Sequence, residues 1–199
     1  MMPVIVKGPP MSSQSRASMV RSAATLIGAH GMSATSFSEV LADSGAPRGS
    51  IYHHFPRGKE QLAEDAIGWT SEQILGHIAA CPATTPRGVL DWFVDLWRTV
   101  ARSSGGAAGC AVAGVAIDTA ADGDILAAVR AAFGSWRDAL AGRLEAAGLG
   151  AGPARRVALT ALAAMEGALI LCRAEGDATP LADVGGEILN LVPADGDGG

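Results

Sequence analysis

The stretch 36–59, SFSEVLADSGAPRGSIYHHFPRGK, leaves fewer ways to fold than any other part of the chain. It reads as two short helices around a tight turn. Phe37, Val40 and Leu41 stand at i, i+3 and i+4, one face of a first helix. Ser44-Gly45 ends it, because glycine takes the left-handed geometry of a helix stop without a Cβ clash. Ala46-Pro47 opens the second helix, with proline near a first helical position, where its missing N–H does no harm. Ile51 and Phe55, four apart, point inward. That leaves Arg48, Gly49, Ser50, Tyr52, His53 and His54 on the outward face. Tyr52 taken singly would also serve as a core residue with a polar tip. As a set, these donors, the permissive glycine and the flat rings suit a helix laid in a DNA major groove.

The rest of the chain carries helical patterns throughout. Residues 1–13 are aperiodic and bear Pro, Ser and Gly, and a disordered arm is expected there. A helix follows from Gln14 to His30, with Met19, Ala23, Leu26 and Ile27 as its core stripe. Thr35 or Ser36 caps the next helix, and Glu39 occupies the capping-box position. Beyond the turn at 56–58 a longer helix runs from Lys59 to about Ala80, with no flexible linker before it. Further helices are expected from Thr85-Pro86 to about Ser103, over 110–120, from Ile125 to about Ala147, over 153–174 and from Thr179 onward. The tail 193–199 reads as unstructured.

Hydrophobic residues make up 49% of the 199 positions, much of it Ala, Leu and Val, and aromatics only 5%. With few β-branched runs, the fold class is all-α. The expected division is an arm over 1–13, a helix-turn-helix unit over 14–60, a helical body over 61–192 and the tail. Net charge is −5, which as a whole disfavours a nucleic-acid partner. Its distribution reverses that: residues 1–60 hold six basic groups against three acidic, or +3, and the remainder nine against seventeen, or −8. A basic head on an acidic body fits a DNA reader. No apolar run is read as long enough to cross a membrane, and the N-terminus is too short in apolar residues for a signal peptide, so a cytoplasmic location and no membrane partner are expected.

Catalytic and metal chemistry find little support. Cys81, Cys110 and Cys172 are far apart and odd in number, without a CxxC pair. His30, His53, His54 and His77 form no HExxH or paired-ligand spacing, and no GxSxG elbow occurs. No catalytic residue, metal site or cofactor is expected.

The pattern GAPRGSIYHHF followed by KEQL, within a three-helix head and before an all-helical body, resembles the TetR family of one-component transcriptional repressors. The match is strong over about 14–65. The extra residue in FPRGKEQL, and GCAVAGVAID later, resemble the multidrug- and flavonoid-responsive subgroup. The resemblance implies a repressor released from DNA by a small apolar or aromatic effector, and a homodimer reading a palindromic operator in double-stranded DNA. It implies that Arg48 reads base edges, that Gly49 lets the backbone approach, and that Ser50, Tyr52, His53 and His54 hold bases or phosphates. Thr35, Ser36 and Lys59 would hold phosphates. The dimer surface would be the last two long helices, through Ala161, Ala164, Gly167, Ala168 and Leu171 with Leu181, Val184, Ile188 and Leu191.

An effector pocket is expected in the middle of the body, where Trp92, Trp97 and Trp136 cluster in sequence. Phe93, Leu96, Cys110, Val112, Met165 and Leu169 would share its lining, and Glu166, a lone carboxylate in an apolar helix, would be its polar handle. Taken singly, each of these residues also reads as ordinary core. The alternatives are a helical small-molecule binder without DNA function and, less well supported, an enzyme.

Overall fold

The computed structural model describes residues 11–104, 107–119 and 123–194, and among these it holds nine helices and no strand. They are α1 (Met11–His30), α2 (Phe37–Ser44), α3 (Ser50–His54), α4 (Lys59–Ala79), α5 (Pro86–Ser103), α6 (Ala111–Asp118), α7 (Ile125–Ala146), α8 (Ala151–Glu175) and α9 (Thr179–Leu189). The bounds expected for α4, α5 and α7 hold within one or two residues. α1 differs: it begins at Met11, inside the expected arm, of which residues 1–10 lie outside the described residues. Residues 195–199 of the expected tail lie outside them as well.

Local chemistry sets the helix ends. Ser36 caps α2 in a reciprocal box with Glu39: its hydroxyl accepts from Glu39 N–H at 3.2 Å, and the carboxylate accepts from Ser36 N–H at 2.7 Å. The Ser36 hydroxyl and then the Ser36 backbone N–H, both beside the Glu39 carboxyl, hold it below its ordinary pKa. Gly45 stops α2 at φ +66°. Thr85 caps α5 through Gly88 N–H, with Pro86 at the first position.

α1 packs across α2, α3, α4 and α6, and α4 packs against both α1 and α7. One continuous helix therefore belongs to the head and to the body. Beneath α2 and α3 lie Met19, Ala23, Val40, Ile51 and Phe55, all buried. The Arg16 guanidinium bridges to Asp65 at 2.5 Å and lies over the Phe55 ring, tying α1 to α4 and α3.

The head meets the body where α1 crosses the segment leading into α6. Gly28 and Gly109 approach so closely that a Cβ on either would strike the other's carbonyl, and a Cβ on Gly114 would lie 2.5 Å from Ile27 O. Asp118, at the end of α6, accepts from Ser33 N–H at 2.7 Å. The body thus holds the loop that leads into α2.

α8 is long and apolar enough to cross a membrane by length and composition, which corrects the expectation that no run reaches that length. The two charges in its stretch 157–174, Glu166 and Arg173, do not lower the mean hydropathy enough. Its Ala154, Ala158, Leu162, Met165, Leu169 and Cys172 are buried, and it packs on α7 and α9, as a core helix does.

Candidate nucleic-acid interface and ligand cavity

α3 is five residues long, and its first turn lies outside the helix. Ser50 N–H donates to Pro47 O at 2.9 Å and the Ser50 hydroxyl to the same oxygen at 2.6 Å. Pro47 therefore heads a turn, not the helix, and the expected helix 47–54 is corrected to Ser50–His54. Arg48 and Gly49 sit on that turn, exposed. Arg48 forms no ion pair among the described residues, unlike Arg16 and Arg57, which pair with Asp65 and Glu64.

Tyr52 is 70% exposed, its ring edge-on to Phe37 at 5.6 Å. A large ring held outward in water by a second ring is a preset contact surface. His53 is exposed and His54 half-buried. Burial, then the His53 and Arg16 charges, push the His54 pKa down, which favours the neutral ring with one donor and one acceptor nitrogen. Ile51 and Phe55, turned inward, fix the orientation of this outward set.

Two residues expected at the phosphate backbone are engaged elsewhere. Thr35 is 4% exposed and its hydroxyl donates to Gly31 O at 2.8 Å, so it secures the loop and presents no group outward, a correction of the phosphate contact expected of it. The Lys59 ammonium donates to Ser33 O at 2.9 Å, bracing the same loop with one of its three N–H groups. Ser36 remains exposed at the N-terminus of α2.

A cavity of about 500 Å³ lies between α1, α4, α5 and the segment entering α6. Of the expected lining only Leu96, Trp97 and Cys110 face it. Phe93, Val112, Trp136 and Met165 are fully buried core, and the Trp136 N–H donates to Ser71 Oγ at 2.9 Å. Trp92 turns the other way: its ring stacks on His77 at 4.7 Å, and its N–H donates to His77 O at 2.8 Å, clamping α4 to α5. Glu166 and Leu169 line a different cavity. The expected single pocket is corrected accordingly.

Sequence reasoning missed the α4 wall, Trp69, Thr70, Gln73 and Ile74, and the α1 wall, Ala24, Thr25 and Ala29. Trp69 was the available signal, a fourth tryptophan next to Thr70 and one turn before Gln73. Inside this apolar space two buried polar atoms have no partner among the described residues: the Trp97 Nε1–H and the Thr70 hydroxyl. Unpaired buried polar atoms cost about 1–3 kcal/mol each. A guest bearing an acceptor would relieve that cost.

Both halves of the chain match known families. Residues 20–66 match the model described as bacterial regulatory proteins, tetR family, and residues 86–187 match the C-terminal domain of LmrA/YxaF-like transcriptional regulators. A Mycobacterium tuberculosis protein described as an HTH-type transcriptional regulator is 37% identical, over 90% of this chain and 95% of its own length. The HTH-type transcriptional regulator LmrA of Bacillus subtilis is 28% identical, over 89% of this chain and 96% of its own. The crystal structure of a TetR transcriptional regulator from Chloroflexus aurantiacus superposes with a TM-score of 0.72 at 26% identity, over 90% of this chain and 94% of that one. One from Agrobacterium tumefaciens shares the fold, at TM-score 0.77 and 22% identity over 92% and 100%. With family matches over both the head and the body and a 37% identical relative covered almost end to end, the chain belongs to the TetR family of bacterial transcriptional regulators.

Proposed function

We propose that this regulator acts in the cytoplasm as a homodimeric repressor of a palindromic operator, released by a small, largely apolar effector that carries a hydrogen-bond acceptor. The observation that carries the DNA reading is the outward set on α3 and its leading turn. Arg48 is exposed and in no ion pair among the described residues, Ser50, Tyr52 and His53 stand beside it, and two fully buried residues hold the helix beneath. Arg48 reads base edges, since a guanidinium matches guanine O6 and N7 bidentately. Gly49 allows close backbone approach. Ser36 and Lys59 take phosphates, and Ser50, Tyr52, His53 and His54 take bases or phosphates.

Arg48→Ala should weaken binding to a duplex from upstream of the protein's own gene by about 1–3 kcal/mol and flatten its preference over scrambled DNA. Fluorescence anisotropy at fixed salt reads this. Unchanged affinity would remove Arg48 from the reading role.

One head buries little DNA, and a dimer doubles it. Ala164 on α8, Val184 on α9 and Leu191 just past the end of α9 line an open groove of about 600 Å³ to which Ile188 also contributes, and Gly167 and Leu171 follow on α8 at i+3 and i+7 from Ala164. Ala161, Ala168 and Leu181 belong instead to the protomer's own core. Leu171 and Leu191 are large, apolar and nearly half exposed, which suits a two-fold helical interface. The double variant Leu171→Arg, Leu191→Arg should sediment as a monomer and lose operator binding. A dimer that persists would move the interface off this face.

The effector occupies the 500 Å³ cavity, its acceptor on the Trp97 N–H. It releases DNA only as far as it prefers the spacing of heads that DNA disfavours.

A further inference from the structure

The segment 108–110 has a second cavity on its other side, of about 210 Å³. That is far more than the ~10–15 Å³ a single water needs. Its polar and charged lining comes from three helices and the segment between them: His30 on α1, Cys110, Asp118 on α6, and Glu166 and Arg173 on α8. No role described so far uses this space.

Glu166 makes it a site and not a packing gap. Glu166 is half-buried as a residue, but its Oε1 is fully buried, lines the cavity and has no hydrogen-bond partner among the described residues. The nearby Cys110 thiol offsets only part of the effect of burial on this carboxyl. Asp118 is already engaged by Ser33 N–H. Once Glu166 is ionised, two carboxylates, Glu166 and Asp118, share this lining with one guanidinium, Arg173. The rim is apolar: Ile117 is 74% exposed and Ile170 58%, large aliphatic side chains standing in water beside a buried acceptor.

These features ask for one kind of guest, with a compact positive donor at one end and an apolar body at the other. We propose that the cavity between α1, α6 and α8 binds a small organic ammonium, its N–H groups on Glu166 and its apolar body between Ile117 and Ile170. The two cavities then select opposite chemistries. The larger offers an unpaired donor at Trp97 and takes an acceptor. The smaller offers an unpaired acceptor at Glu166 and takes a donor. A charge-assisted bond to a buried carboxylate is about twice as strong as a neutral one, so charge sets the selectivity. The guest would lie against the Gly28–Gly109 crossing and the end of α6 that holds Ser33, at the joint between head and body.

Benzylammonium, titrated calorimetrically into the full-length protein without DNA at pH 8, tests this. It should bind saturably. Benzyl alcohol, which has the same ring without the charge, and benzyltrimethylammonium, which has the charge without N–H donors, should each bind at least about tenfold more weakly. Glu166→Gln should weaken benzylammonium by a similar factor. Ala113→Leu, which fills the cavity from α6, should abolish its binding while the helical circular dichroism stays unchanged. Trp97→Phe, confined to the other cavity, should leave it unchanged. Binding should tighten between pH 6 and 8 as Glu166 gives up its proton, and His30, Cys110, Asp118 and Arg173 are the other titratable or charged groups that face it. Absence of saturable binding in the millimolar range, equal binding of benzyl alcohol, or undiminished binding by Glu166→Gln would overturn the proposal. Because DNA takes no part, any of these results leaves the operator-reading proposal as it stands.

Discussion

Gly28→Ala should lower the stability of the protein by about 1–3 kcal/mol, although position 28 lies inside a regular helix, where alanine is intrinsically better than glycine by about 1 kcal/mol. The clash decides the sign. A Cβ at 28 would run into the Gly109 carbonyl, whose carbon would be 2.9 Å away, and the obstacle is backbone, not the end of a flexible side chain. Relief requires α1 and the segment entering α6 to part. The Gly114 contact with Ile27 O, one turn along, resists the same movement. Gly68→Ala on α4 supplies the control: it is exposed, with nothing within 4 Å of the new methyl, and should gain up to about 1 kcal/mol. Urea denaturation midpoints read both signs. Gly28→Ala should also weaken operator retention, because the crossing fixes how the head sits on the body. A midpoint raised in both variants would mean that the crossing yields without cost.

That crossing shows what the sequence could and could not carry. The head was legible because its determinants are local. The Ser36–Glu39 box, the stop at Gly45 and the inward pair Ile51 and Phe55 each act within four residues. Even there, Pro47 was read as a first helical residue, whereas the Ser50 bonds to Pro47 O make a turn first and put Arg48 on it. The closeness that Gly28 requires is set by Gly109, eighty-one positions away, and no local pattern reports it.

The cavities were legible as chemistry and not as places. The apolar side chains of α5 form one broad face with both Trp92 and Trp97 on it, so periodicity could not say that Trp97 turns to the cavity and Trp92 to His77. Glu166 stood out as a lone carboxylate in an apolar helix. That it lines the smaller cavity depends on how α8 meets α1 and α6, a tertiary fact.

The other large effect is the pH dependence that Glu166 gives to stability. Burial raises its pKa from 4.5 to about 7, and the Cys110 hydrogen bond pulls it back only in part. The folded protein therefore holds this proton more tightly than the unfolded chain does. Stability from that proton is fully present below the unfolded value near 4.5 and is lost as pH rises through about 7. The span corresponds to at most about 3 kcal/mol. Glu166→Gln keeps the shape and removes the titration. It should match the parent near pH 4 and exceed it by about 1–3 kcal/mol at pH 8. The comparison is made as the difference between the two proteins in urea unfolding at each pH, so that the other titrating groups cancel. The difference should grow mostly between pH 5 and 7. A difference that stays flat across this range would mean that the carboxylate is solvated or paired when ionised, and the unmatched buried acceptor on which the smaller cavity depends would not exist.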